Sequence, residues 1–297
     1  MCSREQLDRM LYFLTILLIV SPLIAYISGF WITYWKLVTL LGEEQGYVAL
    51  ATLAYILVSP ILGYVMLLSL LSSAWINVFL KNTLQLPRPP PDQWKISAEG
   101  YGFPSGHAQT STAFWTAGYL YYKRPSIAVF SMSLITLISI SRIVLGVHYP
   151  RDVIGGALIG LTVTLPIYFL SMRLFLLKKK YASTALLAYS FFVLFLSQLL
   201  SDLTLLRVAG VIAGASVFPY IREQLKLPES LSLRLLLAVG VLALSFALTW
   251  IARFLQPPLQ FATYALIALI ITTSPLVTKH LVSAFTPRVK FLRTQFY

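Results

Sequence analysis

Charge is what this 297-residue chain has least of: charged residues make up 11% of it, and ten Asp and Glu stand against 23 Lys and Arg. That scarcity excludes an ordinary soluble domain. The single cysteine, Cys2, excludes an intramolecular disulfide and any cysteine-based metal cluster. Alternating period-two segments are also missing, which excludes a transmembrane barrel. No low-complexity tract and no convincing internal repeat occurs. Histidines number three, His107, His148 and His280, so imidazole chemistry has few carriers.

What the chain does have is apolar sequence, 58% of its residues. Apolar runs recur from Met10 almost to the C-terminus. Several reach the roughly 20 residues that carry a helix across a bilayer core, and helices satisfy their own backbone there. About ten spans are expected, at 10–29, 47–58, 61–80, 108–122, 127–145, 153–174, 185–200, 203–220, 231–255 and 261–278. The first run continues to about Trp35 without a small-residue cleavage site and reads as an uncleaved span. Residues 47–80 are long for one span and short for two, and Pro60 and Gly63 are where a turn would fall. Trp31, Tyr34 and Trp35 read as an interfacial belt.

The net charge of +13 would suggest nucleic acid in a soluble protein. Here the basic residues sit at the ends of apolar runs, so topology is the better explanation and no nucleic-acid partner is expected. With the N-terminus cytoplasmic, Arg4, Arg9, Lys123, Arg124, Arg173, Lys178, Lys179, Lys180, Arg222, Lys226, Arg234, Lys279, Arg288, Lys290 and Arg293 share that side with the C-terminus. Lys36, Lys81, Arg88, Lys95, Arg142, Arg151, Arg207 and Arg253 fall on the other. The outer side then holds one long polar segment, from Lys81 to His107, stiffened by Pro87, Pro89, Pro90 and Pro91.

Three clusters carry chemistry, each beside an outer helix end. Lys81 and Arg88 lie seven residues apart in the first; Pro104-Ser105-Gly106-His107 opens a helix in the second; the third runs from Ser141 and Arg142 through His148 to Asp152. Converging, Lys81, Arg88 and Arg142 would make a pocket for a phosphoryl group, whose oxygens suit guanidinium forks, and nothing in it would suit a metal cation. Ser105 and Gly106 would add free backbone N–H groups at a helix N-terminus. Asp152, four residues after His148, would hold one ring nitrogen as N–H and leave the other to attack phosphorus. His107 would protonate the leaving alkoxide and later activate water.

These clusters match, at every position, the three-part signature K-x6-R-P, P-S-G-H and S-R-x5-H-x3-D, and over residues 61–174 the chain resembles the type 2 phosphatidic acid phosphatase superfamily. The resemblance implies an all-α polytopic membrane protein with a six-helix phosphatase core in residues 1–180, its signature within 81–152. About four further transmembrane helices, of unassigned role, would occupy residues 181–297. It implies an extracytoplasmic site without metal or other cofactor. Lys81, Arg88, Ser105, Gly106 and Arg142 would hold phosphate, His107 would act as acid, His148 as nucleophile and Asp152 as its orienter. The substrate would be a membrane lipid phosphate or polyprenyl diphosphate, and no protein partner is inferred.

Singly, each residue has a plainer reading. Lys81 and Arg88 would pass as snorkelling anchors, Arg142 as a helix C-terminal charge, Asp152 as an N-cap. Arg207 and Arg253 read as anchors, and Lys178 to Lys180 as a topology signal. Competing functions are a phosphotransferase, a sugar-phosphate phosphatase, or a transporter that only binds phosphate. The last would need neither histidine, and the C-terminal spans hold almost no internal acid for ion coupling.

Overall fold

The computed structural model describes residues 4–293, with side chains through residue 276. Cys2 and the side chains of Lys279, His280, Arg288, Lys290 and Arg293 lie outside the described residues. All described regular structure is helical: α1 (Arg4–Ile27), α2 (Trp31–Leu40), α3 (Glu44–Leu53), α4 (Pro60–Leu84), α5 (Gly106–Tyr122), α6 (Pro125–Val144), α7 (Pro150–Leu174), α8 (Lys179–Leu200), α9 (Leu203–Ala215), α10 (Phe218–Ile221), α11 (Leu231–Ala252) and α12 (Pro257–Arg293). A π-helical turn, Ala54–Val58, extends α3. Proline opens α4, α6, α7 and α12, where its fixed φ suits a first turn and its missing N–H costs nothing.

Eight helices among the described residues are long and apolar enough to cross a membrane. The fold is thus the all-α, polytopic one expected, with fewer full-length spans than the ten read from hydropathy. Glu44–Val58 is a shorter apolar helix, and α5 has 17 residues. The break near Pro60 falls at Ser59, which is extended (φ −158°, ψ 128°), and Gly63 lies inside α4. The first apolar run is also two helices, not one, because Gly29 turns at φ +77° between α1 and α2.

The chain divides into two compact units. One comprises residues 4–51 and 64–173, the other residues 52–63 and the helices from Leu174 onward. In the first, α6 packs against α1, α2 and α5. Trp35, 2% exposed, belongs to a core with Val38, Leu137, Leu145 and Val147, which corrects its assignment to an interfacial belt. Tyr34 meets Ser21 through its hydroxyl at 2.7 Å. Glycines bring α7 onto α5: a Cβ on Gly156 would lie 2.6 Å from Ser105 O, and one on Gly160 2.4 Å from Gln109 O. Small residues at such a crossing let two membrane helices touch backbone to backbone.

In the second unit, α9 packs between α8 and α12. Asp202 caps α9 by accepting from the N–H groups of Thr204 (2.7 Å) and Leu205 (3.1 Å). Arg207 ties α9 to α12: its Nε donates to Gln260 at 3.1 Å, and its guanidinium lies over Tyr264 at 5.9 Å. Tyr55, in the π-helical turn, donates to Thr272 O at 2.7 Å.

Candidate active site

The first unit gathers all three signature clusters at one end, where α4 and α6 finish and α5 and α7 begin. Arg88 builds much of that end. Its Nε donates to the carbonyls of Glu99 (3.2 Å) and Gly100 (3.0 Å), its Nη2 to Glu99 O (2.8 Å) and its Nη1 to Val147 O (3.0 Å). The same Nη1 reaches His148 Nε2 at 2.9 Å. Arg88 therefore clasps the loop after α4 to the turn before α7, a structural duty that the motif alone does not reveal.

That loop is seated by backbone as well. Lys95 N donates to Leu145 O at 2.9 Å and Gly102 N to Leu86 O at 2.8 Å. Gly146, at φ +74°, faces Gln93 O so closely that a Cβ there would lie 2.2 Å from it, so no other residue fits the turn without moving the loop.

His148 is 3% exposed. Its Nδ1 lies 3.5 Å from Asp152 Oδ2, while Nε2 faces Arg88. Because arginine only donates, Nε2 is the acceptor and the ring carries its proton on Nδ1. Burial holds the imidazole well below its usual range, to about 4, and the charges of Arg88, Arg142 and Lys81 act in the same direction against the opposing pull of Asp152. The ring is neutral at physiological pH, with its Nε2 lone pair turned toward cations and engaged by Arg88. Asp152 also accepts from Tyr149 N at 2.9 Å. It occupies the third position of α7 and reaches back to the residue before the helix, so it is not the N-cap itself but the partner from which the cap's N–H gains its bond.

The helix start at Ser105 differs from the expectation in one respect. Ser105 N donates to Asp152 O at 2.9 Å, so it is not a free anion donor. What remains is its hydroxyl, which is buried without a hydrogen-bond partner among the described residues, together with the first-turn N–H groups that begin at Gly106. The segment is held by two residues whose roles were not anticipated. Asn77 Nδ2 donates to Pro104 O (3.2 Å) and to Gln109 Oε1 (2.8 Å), and Gln109 Nε2 donates to Ser73 O (2.8 Å). An Asn and a Gln inside otherwise apolar helices were the available signal, since buried amides need partners.

Arg142 is 6% exposed. Its Nη1 donates to Thr39 Oγ1 at 2.7 Å, and its Nε has no partner among the described residues. Lys81, in the last turn of α4, lies within the electrostatic reach of Arg88, Arg142, Glu44 and Asp152. His107 contributes a residue pair that the sequence reading missed: Glu43 Oε1 lies 3.4 Å from its Nε2, and the interaction with His107 holds the Glu43 carboxyl below the usual carboxylate range. Gly42 makes this approach possible, because a Cβ there would sit 2.7 Å from the His107 ring and 2.8 Å from Ile138. The signal for Glu43 was slight, one acid in a short connection.

Among the described residues no group of three or more His, Cys, Asp or Glu is placed to hold a metal ion. The arrangement pairs a neutral, oriented imidazole with Lys81, Arg88 and Arg142, cations suited to phosphoryl oxygens, and sets a second imidazole beside a carboxylate.

Residues 62–176 match the family described as the PAP2 superfamily, so the resemblance read from the signature holds for that segment. A curated protein of Dictyostelium discoideum named "Probable sphingosine-1-phosphate phosphatase" is 30% identical over 160 residues, covering 48% of this chain and 39% of the relative. The chain thus spans about two fifths of that relative's length. No solved structure matches.

Proposed function

We propose that this chain is an integral-membrane phosphatase that releases phosphate from a lipid phosphate through a phosphohistidine on His148. The observation that carries the reading is the setting of the His148 ring, with Asp152 on its Nδ1 side and its Nε2 lone pair turned toward cations. In the first step Nε2 attacks phosphorus, the bond from phosphorus to the lipid oxygen breaks, and His107 gives that oxygen its proton. Asp152 stabilises the ring as it gains positive charge. In the second step His107 takes a proton from water, whose oxygen attacks phosphorus and breaks the P–N bond, returning His148 with its lone pair. Lys81, Arg142, the Ser105 hydroxyl and the Gly106 N–H face the equatorial oxygens in both steps. Arg88 Nη1, which occupies the Nε2 direction, turns from the ring to a phosphoryl oxygen as substrate enters.

Glu43 gives the protonated His107 ring a countercharge. The positive-inside pattern supports an extracytoplasmic site and a cytoplasmic C-terminus. Residues 1–180 carry the catalytic core, and the helices of residues 181–297 accompany it. The match to a protein named for sphingosine-1-phosphate adds a sphingoid phosphate to phosphatidic acid and polyprenyl diphosphate as substrates to compare. The test is phosphate release by purified protein in detergent across that panel, with a chelator present and with a His148→Ala control. Release that survives chelation and disappears in the variant is expected. Equal release from both proteins, or strict dependence on a divalent ion, contradicts the reading.

A further inference from the structure

Below the candidate site, within the same unit, lies an apolar cleft of about 320 Å³. Its walls come from the end of α2, the start of α3, and facing stretches of α5 and α6, including Leu41, Gly46, Leu50, Trp115, Leu134 and Ile138. It adjoins the chemistry directly. Ile138 lines the cleft and, with the His107 ring, closes on Gly42, where a Cβ would meet both. Leu41, another wall residue, is separated from Glu43 only by that glycine. From the level of His107 to Trp115 is eight residues of α5, and from Arg142 back to Leu134 is eight residues of α6. At 1.5 Å per residue each distance is about 12 Å along the helix. The cleft therefore lies along α5 and α6 about 12 Å from the levels of His107 and Arg142, and at its Ile138 wall it adjoins the His107 ring across Gly42.

The geometry points to this cleft as the binding site for the hydrocarbon chain of a single-chain lipid phosphate, with the ester oxygen at His107 and the phosphoryl group among the cations. The inference rests on the phosphatase reading and names its substrate class. In a bilayer an apolar cleft takes up hydrocarbon of some kind; the cations of the neighbouring site select chains that end in an anion. Its size is at the small end of ligand pockets, roughly 300 to 1,000 Å³, which suits one chain and not two. The leaving group is the part of the substrate that His107 must reach, and Ile138, a wall residue of this cleft, closes on Gly42 together with that ring.

Two measurements test it. The first uses a long-chain alkyl phosphate with a diazirine midway along its chain, photolysed on His148→Ala protein in detergent so that turnover plays no part. Label is expected on the α5 and α6 segments around Trp115 and Leu134, suppressed by excess unlabelled alkyl phosphate and not by a neutral long-chain alcohol. Label spread over the outer helix faces, or indifferent to the phosphate-headed competitor, would mean bulk lipid only and would overturn the inference. The second uses Gly46→Leu, where a Cβ meets nothing closer than Leu40 O at 4.0 Å, so the helix accepts the side chain while the cleft is filled. The ratio of kcat/KM for a long single-chain phosphate to that for a tail-less phosphate ester should fall on the order of tenfold or more, and an unchanged ratio contradicts the assignment. Absence of phosphate release from every substrate would count against the phosphatase reading, whereas the labelling would still judge the cleft.

Discussion

At the connection between α5 and α6, Arg124 and Ser126 both bond the carboxylate of Asp8, and Arg124 also donates to Arg4 O at 3.0 Å. Charge and hydroxyl are satisfied together, and the start of α1 is fixed to the bundle. At the other end of the same helices, Ser105 Oγ and Arg142 Nε are buried without a hydrogen-bond partner among the described residues, and His107 Nε2 and His148 Nδ1 approach carboxylates only at 3.4 and 3.5 Å. Both ends use a carboxylate, a cation and a hydroxyl. One saturates them and gains stability, whereas the other leaves a hydroxyl and a guanidinium N–H unsaturated at a cost in stability and holds them ready for an anionic ligand. Where polar groups in a membrane bundle stay unpaired, function is the expected reason.

Substitutions at the two ends should therefore separate activity from stability. The largest effect is expected from Gly42→Ala, which drives a methyl group into the His107 ring and Ile138. Displacing a catalytic group by about 1 Å costs on the order of 100-fold, so kcat should drop by that much while the purified protein elutes as wild type. A fall below threefold would show that His107 tolerates displacement. Glu43→Gln removes the countercharge facing His107. The kcat for an alkyl phosphate should fall about tenfold and that for an aryl phosphate, whose leaving group needs little protonation, should hardly change. Equal losses on both substrates would reduce Glu43 to a structural residue.

Asp8→Ala should give the reverse pattern. Two charge-assisted bonds are lost and Arg124 is left half-buried, at a cost of about 2 kcal/mol, seen as a lower melting temperature with kcat intact. The smallest effect concerns pH. The His148 ring titrates lower in the fold, at about 4, than in the unfolded chain, near 6.5. Between those values the unfolded state binds more protons, so the contribution is present above about pH 6.5 and is lost as pH falls toward 4. Melting temperature followed over that window should decline less steeply in His148→Ala than in wild type; parallel slopes would place the acid sensitivity elsewhere.

How much of this was legible in the sequence depended on the distance along the chain between partners. Asp152 and His148 are four residues apart, and the clusters from Lys81 to Asp152 keep fixed spacing, so their types and order could be read directly. The Asn77 to Gln109 bond joins residues 32 apart, Arg142 to Thr39 joins residues 103 apart, and Arg124 to Asp8 joins residues 116 apart. Such contacts depend on which helix faces meet, and hydropathy does not encode that. The same limit explains Trp35, whose aromatic neighbours suggested an interface although α2 turns it into the core. It also explains Arg207, whose partner Gln260 comes from another helix. Glycine was legible as a turn signal, but not as the space at Gly42 that admits the ring of His107.

The most direct test of the central claim is to quench the protein with acid-free denaturant seconds after adding a phosphate-labelled lipid substrate, then map the label. The account predicts a phosphoenzyme that is stable to alkali and labile to acid, located on the peptide containing His148 and absent from His148→Ala. Label on a serine or on His107, or continued substrate turnover by the alanine variant at the wild-type rate, would contradict it.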